Sequence, residues 1–455
     1  MKPVPVIFRP AARAALLGLA AAIPAIAAAE EIPCGQVVAT VVCRADATQS
    51  YALYLPSVYD PKRAWPVLYC FDPGGRGHVP VELFQAAAEK FGYVVAGSNN
   101  SRNGPWADNL KAIEAMVHDT GVRFSLDGSR RYAVGMSGGA RVATEVAATG
   151  LVRGAVACSA AFSGGETPRQ VPFVLFGTAG TDDFNCPEMR RTDRDLDARG
   201  TPHRVVFFAG GHGWPPPELA MEAVGWLELQ AMRAGKRPKD EVFIRTLFES
   251  RRAAAAALPP AGAWREYQSL AADFSGLVDT ADVARRAAAL AGSREIRSAE
   301  KQERQLEQRQ LDLNDELYAD ARDGRLARLR EAAAGLRRQA AAPEDSPDRR
   351  LARRVLEGMG ITSAEQARQL LAQHEYGDAA MNLELAAILH PDRPRTHYEL
   401  ARARALNGER AAALAALQAA VTAGFKDAAQ AEQEAAFARL RAEPSFQQLL
   451  AAMKP

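Results

Sequence analysis

Between residues 30 and 237, short apolar segments alternate with longer amphipathic ones. Residues 65–71 (WPVLYCF) are continuously apolar, which predicts a strand buried on both faces. Residues 108–124 carry apolar side chains along one helical stripe, which predicts a helix. Further strands are predicted at 50–55, 93–97, 132–134, 154–158, 172–177 and 204–209, and further helices at 81–90, 140–148 and 218–232. This alternation predicts an α/β fold with a mostly parallel sheet covered by helices.

Beyond residue 235, strand patterns nearly vanish and Ala, Arg, Glu, Gln and Leu dominate. Residues 238–360 are predicted to form a helical linker region, with breaks at 259–260 and 343–347, where prolines cluster. In residues 361–455, 33 positions separate Ala380 from Ala413 and likewise Ala387 from Ala420. The spacing resembles a degenerate tetratricopeptide helix-turn-helix repeat, which predicts a repeat-like all-α region. An alanine-rich bundle without true repeats is the alternative.

The first 29 residues have the pattern of a secretory signal peptide. Lys2, Arg9 and Arg13 precede an apolar run, residues 14–29, that ends in three alanines. A membrane anchor is the alternative, but the run is shorter than the roughly 20 apolar residues that a transmembrane helix needs. We therefore expect export to the periplasm or the medium, and a catalytic domain that starts at residue 30 and ends near 237.

Composition excludes some functions. The chain has 455 residues, and its 56 basic and 54 acidic residues nearly cancel, so nothing favours nucleic acid or an anionic membrane as a partner. Five cysteines and seven histidines show no zinc-site spacing, so no metal is predicted. Cys34 and Cys43 lie close enough in sequence to close a small disulfide loop in an exported protein.

The motif GMSGG at residues 135–139 places Ser137 between a predicted strand and a predicted helix. G-x-S-x-G alone is a weak signal, and an ordinary glycine-rich turn is the alternative. The strand-turn-helix setting is what a nucleophile elbow requires, however, and it makes Ser137 the candidate nucleophile. The N–H of Gly138, at the helix N-terminus, is then one candidate oxyanion donor.

A second glycine-rich loop, FDPGGRG at residues 71–77, follows the buried strand 65–71. Glycines let backbone N–H groups approach a substrate oxygen without interference from a Cβ. Gly74 and Gly75 are therefore the candidates for the second oxyanion donor.

A serine nucleophile needs a histidine base and an acid, which follow it in that fold in the order acid, then histidine. His212 lies in a glycine-rich loop after the last predicted strand and is the candidate base. Asp182 and Asp183 follow an earlier strand, and only one of them can face His212 because successive side chains of extended chain point in opposite directions. A tight exit at Gly180 favours Asp183.

These segments together resemble α/β-hydrolase esterases of the polyhydroxybutyrate-depolymerase and dienelactone-hydrolase-like branch. The resemblance covers about residues 33–235 and rests on YALYLP, FDPGGRG, GMSGG, GTDDFN and GGHGWPPPE. It implies a carboxylic-ester hydrolase with a Ser-His-Asp triad, an acyl-enzyme intermediate and no cofactor. The family's acid directly precedes a phenylalanine, here Phe184, which also selects Asp183.

The sequence leaves the identity of the substrate and two alternative functions open. The substrate is expected to be a small or polymeric ester, and Arg102, Trp106 and Trp214 are candidate substrate contacts. A serine peptidase of the same fold is one alternative, and an interaction scaffold with a ligand-binding hydrolase domain is another. The helical region is expected to bind a protein or to pack on the hydrolase domain. Since every proposed catalytic group precedes residue 238, the sequence predicts that residues 30–237 alone keep their fold and some activity toward a small soluble ester.

Overall fold

The computed structural model describes residues 32–454, and the proposed signal peptide lies outside them. Within this range one eight-stranded sheet has the order β1-β2-β4-β3-β5-β6-β7-β8. β2 pairs antiparallel with β1 and β4, whereas β3 to β8 run parallel. The strands are β1 Val37–Val42, β2 Ser50–Tyr54, β3 Trp65–Phe71, β4 Val94–Ser98, β5 Leu126–Met136, β6 Gly154–Cys158, β7 Val174–Gly180 and β8 His203–Phe208.

Helices cover both faces of this sheet. They are α1 His78–Phe91, α2 Trp106–Arg123, α3 Gly138–Ala148, α4 Cys186–Arg199 and α5 Pro217–Arg233. On one face, Leu68 of β3 packs in a core with Phe84 of α1 and Trp226 of α5. On the other face, the hydroxyl of the next residue, Tyr69, lies 3.2 Å from that of Thr120 in α2. Burial on both faces explains why β3 is apolar at every position.

The remaining helices follow in one continuous series. They are α6 Glu241–Ala256, α7 Pro260–Asp273, α8 Ala281–Ala291, α9 Arg294–Arg322, α10 Leu326–Ala340, α11 Pro347–Ala372, α12 Tyr376–Leu389, α13 Pro394–Leu406, α14 Arg410–Thr422, α15 Ala428–Gln433 and α16 Pro444–Met453. The predicted class, a mostly parallel α/β sheet followed by an all-α region, is confirmed. Helix breaks fall where the proline clusters predict them.

The repeat-like alanines share one environment. Ala380, Ala387, Ala413 and Ala420 are all buried in a single core cluster formed by the last helices. This is what equivalent positions of a repeat require, although the tetratricopeptide assignment stays a prediction. Helix α11 runs without interruption through the proposed boundary between the linker and repeat regions.

Two elements were missed by the sequence patterns. Strand β1 is an edge strand with mostly exposed or half-buried side chains, so it lacks a clear apolar alternation. Helix α4 (CPEMRRTDRDLDAR) is dominated by charged residues, although it buries Met189 and Leu196. Both errors have one cause, because a segment that buries little apolar area leaves a weak periodic signal.

The two parts of the chain share an extensive polar contact surface. Trp226 of α5 donates from Nε1 to Asp273 Oδ1 of α7 at 2.7 Å. Arg204 of β8 donates from Nη1 to Glu266 Oε2, also of α7, at 2.9 Å. Trp226, Arg204 and Asp273 are all buried, so the helices cover part of the hydrolase region's own core.

All five cysteines lie among the described residues and are free thiols, so the loop that pairing of Cys34 with Cys43 would close is not formed. Among residues 32–454, no helix combines the length and the apolar character that crossing a bilayer requires.

Candidate active site

Ser137 lies in a sharp turn between β5 and α3. Its backbone has φ 54° and ψ −121°, a conformation that is strained for a residue with a side chain. The two flanking glycines make this turn possible: a Cβ on Gly135 would overlap the carbonyl oxygen of Gly139, and a Cβ on Gly139 would overlap that of Phe71. The motif therefore has the strained geometry of a nucleophile elbow.

Gly138 is the first residue of α3, so its N–H has no acceptor within the helix. A Cβ at this position would overlap Oδ1 of Asn103, whose side chain lies directly over it. Asn103 Nδ2 in turn donates to Glu365 Oε1 of α11 at 2.7 Å. Asn103 had no signal in the sequence, unlike Arg102, because nothing local marks its contact with a helix residue 262 positions away.

His212 and Asp183 are brought together at the ends of β8 and β7. His212 Nδ1 lies 2.9 Å from Asp183 Oδ1, which also accepts the backbone N–H of Asn185 at 2.8 Å. The Asp183 carboxylate is fully buried. Asp182 turns away and forms an ion pair with Arg353 at 2.8 Å. Of the two adjacent aspartates, Asp183 is thus the one that contacts the histidine.

The Asp183 loop and the His212 loop lie against each other. A Cβ on Gly180 would overlap the carbonyl oxygen of Gly210, so the close approach depends on the glycine at this strand exit. The ring of Phe184 stacks on the His212 imidazole, with centroids 4.2 Å apart and planes 29° apart. The imidazole is therefore held at one edge by a carboxylate and on one face by an aromatic ring.

Ser159, which the sequence analysis missed, connects the histidine loop to the sheet. It follows β6 with φ 61°, and its Oγ donates to the carbonyl oxygen of Gly213 at 2.8 Å. The preceding residue, Cys158, accepts the backbone N–H of Ser137 at 2.8 Å. The end of β6 thus contacts both Ser137 and the loop that carries His212.

Ser137 and His212 lie at the same edge of the sheet, because β5 and β8 belong to its parallel part. Within residues 32–454, no hydrogen bond joins Ser137 Oγ to His212 Nε2. Such catalytic hydrogen bonds are often long in ligand-free enzymes and tighten when substrate binds. The structure thus brings Asp183 and His212 into contact and places Ser137 at the same edge of the sheet.

The second glycine loop is organised by Asp72. Its Oδ1 accepts the N–H of Gly74 at 2.8 Å, and its carbonyl oxygen accepts the N–H of Gly75 at 3.0 Å. Asp72 also accepts from Arg76 Nε at 2.9 Å and from Trp214 Nε1 at 3.0 Å. Burial opposes the charge, but these hydrogen bonds hold the pKa of Asp72 below its usual value. Trp214 therefore connects the two loops and packs against the sheet core instead of lining the cleft.

Ser137 opens into a cleft of about 870 Å³ that has walls from both parts of the chain. The hydrolase side contributes, among others, Arg102, Asn103, Trp106, Arg141 and Phe184. Helix α11 contributes Ile361, Thr362, Glu365, Arg368 and Gln369. The predicted contacts Arg102 and Trp106 thus line the cleft, whereas the wall from α11 had no signal in the sequence.

Of the arginines that line the cleft, only one forms an ion pair among residues 32–454. Arg141 forms a two-point ion pair with Glu188, at 3.1 and 2.9 Å. Arg102 and Arg368 form no ion pair with any residue of 32–454. Across the same range, no three His, Cys, Asp or Glu side chains are grouped as a metal ion would require.

The order of the strands, the elbow after β5, the acid after β7 and the histidine after β8 define the α/β-hydrolase fold. No protein-family model matches the sequence, and a search of curated proteins finds no match either.

Solved structures that resemble the chain include three hydrolases. A ferulic acid esterase has 15% identity and a TM-score of 0.36, over 42% of this chain and 97% of that one. An esterase from Pyrobaculum calidifontis has 13% identity and a TM-score of 0.36, over 44% and 87%. An S-formylglutathione hydrolase from Staphylococcus aureus has 14% identity and a TM-score of 0.33, over 39% and 90%.

Proposed function

We propose that this protein is a serine hydrolase that cleaves carboxylic esters through an acyl-enzyme intermediate. One observation carries the proposal: the strained Ser137 elbow and the Asp183–His212 pair share the carboxyl edge of the parallel sheet, and Ser137 opens into a cleft. Each feature has an ordinary structural explanation by itself. Acyl transfer requires such groups together, and their order along the chain is the one that α/β-hydrolases have.

In the first step, Ser137 Oγ attacks the ester carbonyl carbon and His212 Nε2 takes the hydroxyl proton. The carbonyl oxygen becomes an oxyanion at the N-terminus of α3, where the N–H of Gly138 has no intrahelical acceptor. For a second donor, the N–H of Gly74 or Gly75 must turn from its present acceptor on Asp72.

When the tetrahedral intermediate collapses, the bond from the carbonyl carbon to the alcohol oxygen breaks and His212 gives its proton to that oxygen. Water then attacks the acyl-enzyme, His212 takes a proton from the water, and Ser137 leaves with that proton. Throughout, Asp183 holds the Nδ1–H tautomer and stabilises the imidazolium. The products are a carboxylic acid and an alcohol.

The cleft favours esters that carry a negative charge away from the scissile bond. Arg102 of the hydrolase region and Arg368 of α11 both line the cleft, as does the carboxylate of Glu365, and neither arginine forms an ion pair among residues 32–454. A guanidinium group binds a carboxylate through two parallel hydrogen bonds. We therefore propose that the acyl or the alcohol part of the substrate bears a carboxylate or a similar anion.

The test is turnover of the full chain on matched substrate panels of esters and short peptides. We expect ester hydrolysis, and we expect Ser137→Ala to lower turnover on the order of a million-fold while thermal unfolding stays unchanged. Cleavage of peptides but not of esters would replace the proposal with a peptidase. Binding without turnover would replace it with a scaffold.

Export is a separate part of the proposal, supported by the basic start and the apolar run of residues 1–29. Intact-mass measurement of the exported protein should show a chain that begins near Glu30. A mature mass that retains residues 1–29 would contradict it.

A further inference from the structure

A buried arginine of the helical region contacts the backbone of the loop that carries Asp183. Arg354 of α11 is 1% exposed, and it donates from Nε and Nη2 to the carbonyl oxygen of Thr181 at 2.8 and 2.6 Å. Its Nη2 also lies 3.4 Å from Cys186 Sγ. No carboxylate within residues 32–454 forms an ion pair with it. Burying a cation without a counter-ion is costly, so both hydrogen bonds to Thr181 are needed to compensate.

Three further contacts join the same loop to the helical region. Arg353 forms an ion pair with Asp182 at 2.8 Å. Gln310 of α9 donates from Nε2 to the carbonyl oxygen of Phe184 at 2.8 Å. Gly358 approaches Phe184 so closely that a Cβ there would lie 2.7 Å from Phe184 Cβ. The loop is thus held from outside the hydrolase region at residues 181, 182 and 184.

This loop makes the contacts that orient the histidine. Asp183 accepts at His212 Nδ1, and Phe184 stacks on the His212 ring. Arg354 is therefore linked to the imidazole through this loop: it binds the backbone of Thr181, and Asp183, two residues further on, binds His212. It is absent from the residues that line the cleft in the described part of the chain.

We propose that Arg354 is a positioning residue, which sets the place of Asp183 relative to His212, so that the helical region completes the catalytic triad. The inference rests on the proposed function, since it assumes that Asp183 and His212 are catalytic. A displacement of about 1 Å at a catalytic group can lower the rate about a hundredfold. A change at Arg354 lowers kcat and leaves KM nearly unchanged, because Arg354 does not contact the cleft.

The test compares Arg354→Met with a matched control on the same helix, Arg350→Met. Arg350 pairs with Asp345 at 3.2 Å and is not hydrogen-bonded to the loop. We expect Arg354→Met to lower kcat by ten- to a hundredfold on a small ester, and Arg350→Met to change it less than twofold. Arg354→Lys, which keeps one donor for Thr181, should recover part of the loss. If Arg354→Met does not fold, the lysine variant alone decides: a kcat equal to that of the parent would overturn the proposal.

A double-mutant cycle separates positioning from general destabilisation. In the Asp183→Asn background the acid is already lost, so adding Arg354→Met should cost less than twofold. A full additional ten- to hundredfold loss in that background would overturn the positioning role.

The same cycle distinguishes two failures. If Asp183→Asn by itself leaves turnover unchanged, the proposed function fails. If Asp183→Asn abolishes turnover while Arg354→Met has no effect, only the role of Arg354 fails.

Discussion

The hydrolase region and the helical region contribute to the site in different ways. In residues 32–237, the candidate groups follow strand ends and glycine turns, where the backbone itself places Ser137, Asp183 and His212. In residues 238–454, the contribution consists of side chains on α9 and α11 that contact loops far away in sequence. The α/β region thus holds the candidate catalytic groups, whereas the helical region contacts their loops and forms one wall of the cleft.

Among the changes that compare the two regions, the largest loss of turnover should come from changing Asp183, within the hydrolase region. Asp183→Asn is expected to lower turnover about ten-thousandfold, the loss seen when the acid of a comparable triad is changed to asparagine. Asp182→Asn, the same substitution at the adjacent residue, is the matched control. This change removes the ion pair with Arg353, whose side chain is 38% exposed, and it should lower turnover less than tenfold. Steady-state turnover of the two variants checks this, and a reversed order would make Asp182 the acid.

A second, smaller effect should come from removing the helical region. A chain of residues 30–237 would expose the buried Trp226 and Arg204 and would lose every contact from α11. The independent catalytic unit that the sequence predicts stays a prediction, and these contacts favour the opposite outcome. We expect activity on a small ester to fall more than a hundredfold and thermal unfolding to shift to lower temperature. A truncated chain with parent-like activity and unfolding would break the distinction between the two regions.

The smallest effect should come from the cleft wall. Arg368→Gln removes a cation that has no acidic partner, so kcat/KM for an ester bearing a distal carboxylate should fall about tenfold. That is about 1.4 kcal/mol, the lower end for a charged hydrogen bond. An uncharged ester with the same leaving group should be hydrolysed at an unchanged rate. Equal losses on both esters would contradict a charge preference.

The sequence predicted the features that depend on interactions between residues close together in the chain. The positions of Ser137 and His212 depend on local patterns, a strand followed by a glycine turn, and such patterns are visible in a single chain. Asp183 was selected over Asp182 for its spacing from Gly180 and its place directly before Phe184, and the contact with His212 agrees with that choice. The mostly parallel sheet was predicted for the same reason, since its buried strands are continuously apolar.

The residues that were missed act over long range. Asn103, Ser159 and Arg354 are ordinary polar residues whose importance comes from partners distant in sequence, and no local pattern marks them. Trp214, a candidate substrate contact, donates its indole N–H to Asp72, a partner 142 positions away that no local pattern marks. A single sequence shows the elements that bury much apolar area, whereas the pairing of side chains between elements requires the folded structure.

The central claim is that Ser137 is the nucleophile of a working triad, and covalent labelling tests it most directly. A fluorophosphonate should phosphonylate Ser137 Oγ with loss of fluoride, and peptide mass spectrometry of the labelled full chain would locate the adduct. We expect the adduct on the peptide that contains Ser137, and we expect labelling of the Asp183→Asn variant to be slower by several orders of magnitude. An adduct on Ser159 or Ser163 instead, or a Ser137 that stays unlabelled in the folded protein, would contradict it.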